Sequence, residues 1–128
     1  MDFIQAIDNR YEGSILLNPP YEGERLEGIP EEIHAILCIS NGIMETMLHP
    51  ETGESLSIGW IIYPYEMIRE ESSFYREEYG VEGVVFTSDG AGDPYILKPD
   101  GRVMRLDPTC GEETGEAGSL REFYKVFT

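Results

Sequence analysis

Apolar residues recur along the chain at spacings that alternate between helical and extended segments. Phe3, Ile7 and Tyr11 stand four residues apart and predict a short amphipathic helix over residues 2–11. A brief apolar run at 14–17 ends at two prolines. Residues 18–29, rich in Pro, Gly and Glu, are typical of a loop.

A second helix is predicted to begin at Pro30, since proline suits the first helical position and two glutamates follow it at the positive end of the helix dipole. Ile33, Ile36 and Leu37 would form its buried stripe. Both residues of Asn41-Gly42 tolerate the left-handed conformation of a C-cap, so this pair is predicted to end the helix.

Two strands, 43–48 and 55–63, flank a turn at 50–54 and predict a hairpin. A charged helix over 65–79 follows, with Ile68, Tyr75 and Tyr79 on one side, and Gly80 stops it.

The C-terminal part predicts three more strands, at 84–87, 95–98 and 102–106, joined by turns at 88–93 and 99–101. A loop over 107–118 precedes a last helix, where Ser119 and Glu122 form a capping box and Phe123 and Phe127 supply the apolar stripe. The turns at 88–93 and 99–101 are too short to connect parallel strands. The pattern therefore predicts one α+β domain, residues 1–128, with a largely antiparallel sheet and helices packed against it.

The net charge of the chain limits the classes of molecule that the protein is expected to bind. The chain has 128 residues, with 9 Lys and Arg against 25 Asp and Glu, a net charge of −16 spread over both halves. Phosphates would be repelled over most of this surface, so nucleic acid and anionic lipid are not expected partners. The charge suits a basic protein partner, or it serves solubility alone.

Localisation follows from what the sequence lacks. The longest apolar stretch, Ile58–Tyr65, is too short to span a bilayer, and no signal peptide is visible. Two cysteines are too few for a disulfide framework. We expect a soluble cytoplasmic protein.

Acidic residues near glycines suggest one possible metal chemistry. Asp89 and Asp93 flank a glycine-rich segment, but Ala91 stands where an EF-hand loop needs its third-position ligand. A turn in which Asp side chains accept backbone N–H bonds is the favoured interpretation. A small metal-dependent hydrolase using Asp89, Asp93, Asp100 or Asp107 remains an alternative.

No catalytic constellation is visible in the sequence. His34 and His49 have no adjacent partner, and His34 is expected to be half-buried on its helix. Cys38 is interpreted as a small core residue, while Cys110 lies in an acidic loop that discourages thiolate formation. We therefore expect no enzyme activity, no catalytic or metal-ligating residue and no cofactor.

The 65–79 helix is the candidate partner-binding element because carboxylates crowd it. They are Glu66, Glu70, Glu71, Glu77, Glu78 and, just beyond it, Glu82. Such a surface would steer a basic partner. The alternative is a solvated face on which Arg69 and Arg76 form local ion pairs with the glutamates.

Taken in order, several landmarks resemble the SUKH superfamily of bacterial toxin-immunity proteins, which also includes a yeast cell-wall-synthesis regulator. They are the proline-led helix from Ile29-Pro30 to Ser40-Asn41-Gly42, the apolar strand at 83–86, the Gly-Asp-x-Tyr strand at 92–97, the segment 100–103 and the closing helix at 117–123. The resemblance covers roughly residues 29–127.

This resemblance implies a non-enzymatic α+β domain that binds and neutralises a cognate toxin, often a nuclease. Because a nuclease must bind phosphate, it is usually basic, and an acidic inhibitor complements it. The leading hypothesis is an immunity protein of a polymorphic toxin system. The alternative is a regulatory protein-binding scaffold without a toxin partner. The sequence makes no prediction of oligomeric state.

Overall fold

A computed structural model describes residues 14–89 and 91–124 of the chain. The predicted helix over 2–11 and the position of Phe127 lie outside these residues. The elements in chain order are β1 (Ile15–Leu17), α1 (Glu31–Leu37), β2 (Ile43–Leu48), β3 (Ser55–Ile62), α2 (Tyr65–Tyr79), β4 (Val84–Ser88), β5 (Pro94–Leu97), β6 (Val103–Asp107), β7 (Glu112–Ala117) and α3 (Leu120–Tyr124).

All strand pairing among the described residues is antiparallel, so the predicted α+β class is confirmed. The strands divide between two sheets, in the orders β1-β2-β3 and β4-β5-β6-β7. Where β3 meets β4, the Tyr63 amide donates to the Phe86 carbonyl at 2.8 Å, and the Thr87 hydroxyl donates to the Trp60 carbonyl at 2.9 Å. These two bonds join the sheets edge to edge.

The core lies between the helices and both sheets. Helix α1 buries its predicted stripe of Ile33, Ile36 and Leu37, and α2 buries Tyr65 and Ile68. On the sheet side, Phe86 is fully buried. Each such apolar side chain contributes about 1.5–3 kcal/mol when it leaves water, so this shared core is the main force that holds the helices in place.

The predicted end of the first helix is wrong by several residues. Helix α1 ends at Leu37, and its last carbonyls are satisfied by a tight turn in which the Ser40 amide donates to the Ile36 carbonyl at 3.1 Å. Asn41 instead serves the next helix, because its Oδ1 accepts the Tyr65 amide of α2 at 2.8 Å. Gly42 does not cap α1, but its φ of 104° favours glycine, and a Cβ there would lie 3.1 Å from the Pro64 nitrogen.

The predicted loop over 107–118 is also wrong, because it contains strand β7. This strand pairs with β6 in the register Arg105↔Thr114. Five of its six residues are exposed, so no alternation of apolar and polar residues marks it. Backbone pairing and two ion pairs fix it instead: Lys98–Glu113 at 2.9 Å and Arg105–Glu116 at 3.2 Å.

The predicted capping box of the last helix is confirmed in its main contact. Ser119 Oγ accepts the Glu122 amide at 3.0 Å, and Glu122 reaches back to the Gly118 amide at 3.2 Å. Phe123 follows and packs edge-on against Phe86, with ring centroids 5.4 Å apart.

The bond from Asn41 to α2 generates a stability prediction. Replacing Asn41 by Ala leaves the Tyr65 amide without its acceptor, so we expect the free energy of unfolding to fall by about 1 kcal/mol. N41D should retain the stability, because a carboxylate also accepts this bond and is favoured at the positive helix end. Urea denaturation of the three proteins measures this, and an N41A midpoint equal to that of the wild type would contradict the assigned cap.

Asp107, at the turn before β7, generates a pH prediction. Hydrogen bonds from the Thr109 hydroxyl, first, and the Thr109 amide hold the pKa of Asp107 below its ordinary 3.8. A depressed carboxyl pKa stabilises the fold above the unfolded pKa, and this contribution is lost as the pH falls through the folded value. We therefore expect the wild type to be more stable than D107N near neutral pH, with the difference shrinking below pH 3.8. Thermal melts across this range measure the difference, and a gap that stays constant would exclude the linkage.

Candidate partner-binding surface

Helix α2 is fixed to the core along one face and leaves the other to solvent. Ile68 is fully buried, and Ser72 Oγ accepts the Val85 amide of β4 at 2.9 Å. Gly80, in the left-handed conformation at φ 67°, ends the helix as predicted. Because the helix is fixed in rotation by this stripe, its polar residues have a defined direction.

An exposed aromatic side chain lies at the centre of the solvent face. Phe74 is 50 % exposed, and its ring packs edge-on against Tyr75 with centroids 5.0 Å apart. Residues three and four positions away are neighbours on a helix surface. All four such positions around Phe74 are glutamates: Glu70, Glu71, Glu77 and Glu78. We call these five residues the Phe74 surface.

The carboxylates of the Phe74 surface have no ion-pair partner within 4.0 Å among residues 14–89 and 91–124. Arg69 and Arg76, on the same helix, likewise form no such pair within those residues. The local Arg–Glu pairs considered as an alternative are therefore absent from the described part of the helix. Within the described residues, four carboxylates thus surround one aromatic ring with no ion-pair partner.

Two of these carboxylates occupy positions that disfavour the helix. Glu77 and Glu78 lie in the last turn of α2, where the helix dipole is negative and cations are preferred. By contrast, Glu66 lies in the first turn, where a carboxylate is favoured. The C-terminal glutamates thus act against helix stability, which is a pattern expected of functional residues.

A groove of 710 Å³ runs beside the Phe74 surface. Glu66, Glu70 and Glu77 line it together with Phe74. Arg69, Arg76 and the loop at 27–29 also line it. Glu66 therefore lies next to the Phe74 surface, whereas Glu82 lies outside the helix, beyond Gly80. The structure brings five of the six predicted carboxylates onto one helix and leaves Glu82 in the connection to β4.

The negative field reaches the tyrosines behind the surface. Burial raises the pKa of the Tyr75 hydroxyl, and the Glu71 carboxylate raises it further. Burial also raises the pKa of Tyr63, with a smaller contribution from Glu71. Glu71 is half-buried, so its charge acts on this aromatic cluster as well as on solvent.

Asp89 and Asp100, which were considered as metal ligands, accept hydrogen bonds within separate turns. Asp89 Oδ1 accepts the amides of Ala91 and Asp93, each at 2.9 Å, and its Oδ2 lies 3.4 Å from Arg105 Nη1. The turn predicted there is confirmed for Asp89. Asp100 bonds Arg102 two residues on. Over residues 14–89 and 91–124, no three His, Cys, Asp or Glu side chains form a group able to hold a metal ion.

The predicted environment of Cys38 is wrong, and that of His34 is confirmed. Cys38 is exposed, because α1 ends at Leu37 and the chain turns away with residue 38 on its outer side. His34 is half-buried, with Nδ1 2.5 Å from the Tyr65 hydroxyl oxygen. Tyr65 lies 31 residues further along the chain, so sequence spacing does not reveal this contact.

Comparison with known proteins adds no relative. No family model, curated protein or solved structure matches this chain. Within the described residues, no helix has the length and apolar character needed to cross a membrane.

The sequence predicted the carboxylates as partner-binding residues, but Phe74, which lies at their centre, was not predicted. The signal was available, because glutamates at both the third and fourth positions on either side of an aromatic residue are visible in the sequence. The exposure of that aromatic residue was not visible, since it depends on which side of α2 faces the core.

The position of the glutamates along α2 generates a stability prediction. We expect E77Q/E78Q to raise the melting temperature at low salt, because it removes two like charges from the negative end of the helix, at about 0.3–1 kcal/mol each. The effect should shrink at high salt. The matched control is E66Q, which should not stabilise, because the dipole favours a carboxylate there. Equal stabilisation by both variants would contradict a position-dependent cost.

Proposed function

We propose that this protein is an immunity protein, which binds a basic toxin through the Phe74 surface and blocks it by stoichiometric association. The single observation that carries the proposal is the exposed aromatic ring surrounded by four carboxylates that form no ion pair with any residue the structure describes. The net charge of −16 extends the same potential over the whole molecule. The resemblance to the SUKH superfamily supports toxin neutralisation as the use of this surface.

The chemistry of the surface selects a cationic partner. An aromatic face attracts a lysine ammonium or an arginine guanidinium, and arginine also pairs with carboxylates in a planar fork. Glutamates at a rim accelerate association over distances near the Debye length. Phe74 is thus suited to be the anchor of the complex, and the glutamates are suited to guide the partner to it.

A nuclease toxin meets these requirements. Its nucleic-acid site must carry cations to bind phosphate, and an acidic protein seated there excludes the substrate by competing for the same charges. The proposal needs no catalytic group in this chain.

Co-expression in bacteria tests the toxin part of the proposal. Each product of the genes that flank this one is expressed from an inducible promoter, with and without this protein. We expect one product to arrest growth, this protein to restore growth, and the two proteins to co-purify as a stoichiometric complex. A stable partner that never arrests growth would favour the scaffold alternative. Saturable Mg²⁺, Mn²⁺ or Ca²⁺ binding in calorimetry, without any protein partner, would favour the hydrolase alternative.

Charge reversal predicts how the complex forms. We expect E70K/E71K/E77K/E78K to lower the association rate with the purified partner by about tenfold to a hundredfold at low salt, with a smaller loss at high salt. The matched control is E22K/E24K/E51K/E54K, which makes the same change in net charge at exposed glutamates outside α2. Stopped-flow binding measures both, and equal losses would show that net charge acts without a defined surface.

The same experiment distinguishes the anchor role of Phe74 from the electrostatic steering by the glutamates. F74A removes no charge, so it should raise the dissociation rate and leave the association rate nearly unchanged. An unchanged dissociation rate for F74A would place the centre of the interface elsewhere.

A further inference from the structure

A second cluster of chemically active side chains lies at the end of α1, away from the Phe74 surface. Cys38 Sγ lies 3.4 Å from His34 Nε2, one helical turn before it. The other ring nitrogen, His34 Nδ1, lies 2.5 Å from the Tyr65 hydroxyl. The imidazole of His34 thus contacts a nucleophile through one ring nitrogen and an orienting hydroxyl through the other. The nucleophile, Cys38, is exposed.

Aromatic packing holds the imidazole in this orientation. The Tyr21 ring lies against Tyr65 at a centroid distance of 3.9 Å and meets the His34 ring edge-on at 6.1 Å. Tyr21 is itself tied to α1, since its amide donates to the Leu37 carbonyl at 2.8 Å. The ring of His34 therefore has little freedom to turn away from the sulfur.

The hydrogen bond between Tyr65 and His34 bears on which ring nitrogen of His34 carries the hydrogen. Burial raises the pKa of Tyr65, so its hydroxyl keeps its proton and can donate it. When this hydroxyl donates to His34 Nδ1, the ring hydrogen of the neutral imidazole is on Nε2. This N–H points at Cys38 Sγ and stabilises negative charge on the sulfur.

The chain contains an internal comparison. Cys110 is also exposed, but the group nearest its sulfur is the Asp107 carboxylate rather than an N–H donor. Cys38 lies at the C-terminal end of α1, where the helix dipole opposes an anion. That effect at an exposed helix end is weaker than a direct charge-assisted hydrogen bond. The two cysteines therefore differ in the neighbour of the sulfur, not in exposure.

We propose that Cys38 is a site of covalent modification by small disulfides, with His34 as the hydrogen-bond donor to the reacting sulfur and Tyr65 as the residue that positions His34. The Cys38 thiol gives its proton to water, and the sulfur attacks one sulfur of the small disulfide. A new S–S bond forms to Cys38, the original S–S bond breaks, and the departing thiolate takes a proton from water. The site requires neither a metal nor a further oxidant.

Competition between the two cysteines of the intact protein tests this inference. The probe is 2-hydroxyethyl disulfide, which is neutral, so the net charge of the protein does not bias the reaction. Peptide mapping by mass spectrometry at timed intervals gives the rate of mixed-disulfide formation at each cysteine. We expect Cys38 to react about tenfold faster than Cys110.

Two variants assign the cause through the Cys38-to-Cys110 rate ratio. H34F keeps an aromatic ring at the edge of the Tyr21–Tyr65 pair but removes the N–H, so the ratio should fall to about one. Y65F keeps the stacked ring and removes the hydroxyl, so the ratio should fall part of the way. Loss of structure would separate Cys110 from Asp107 and change the Cys110 rate, whereas loss of the N–H leaves the Cys110 rate at its wild-type value. A wild-type ratio near one, or a ratio that both variants leave unchanged, would overturn the inference.

Discussion

The hydrogen bond from the Val85 amide to Ser72 Oγ fixes the rotation of helix α2, and the rest of the molecule depends on that orientation. Ser72 is buried against β4 beside Ile68, so neither can turn toward solvent without leaving a buried amide unpaired or an apolar side chain exposed. The pairing of β4 with β5 shifts its register between Val85 and Thr87, next to this hydrogen bond. Everything on the opposite side of α2 is thereby committed to solvent.

Because the rotation of α2 is fixed, its glutamates form one defined surface with Phe74 at the centre. A helix free to rotate would bury Phe74 and spread its glutamates around the polar side. Held by Ser72 and Ile68, it presents Phe74 outward, within reach of glutamates one turn before and one turn after it. Helix stability favours cations at the last turn, yet Glu77 and Glu78 occupy it. This arrangement does not stabilise the helix, which supports the proposed role of these glutamates in binding a partner.

The sequence predicted those elements whose signals are local. The hairpin of β2 and β3 and the whole of α2 follow from apolar periodicity, turn residues and a glycine stop, and their predicted bounds agree with the structure to within one residue. Strand β7 was missed because five of its six residues face water and its stability comes from backbone pairing and ion pairs with Lys98 and Arg105. The end of α1 was misplaced because Asn41 caps a helix that starts 24 residues later. The carboxylates of the candidate site were local features, whereas the exposure of Phe74 depended on tertiary packing.

Tyr65 shows why the second cluster lies beyond sequence reasoning. Its amide is capped by Asn41, and its hydroxyl orients His34, so one residue both begins α2 and aligns the imidazole at the end of α1. The spacing of His34 and Cys38, four residues apart, is visible in the sequence, but that spacing alone leaves the tautomer of the imidazole open. The contact with Tyr65 supplies a partner for Nδ1, and in the proposed assignment it leaves the proton on Nε2, so that the ring offers the sulfur a donor. In the proposed site, the thiol of Cys38 thus depends on Tyr65, which lies 31 positions after His34 in the chain and reaches it through the same packing that orients the Phe74 surface.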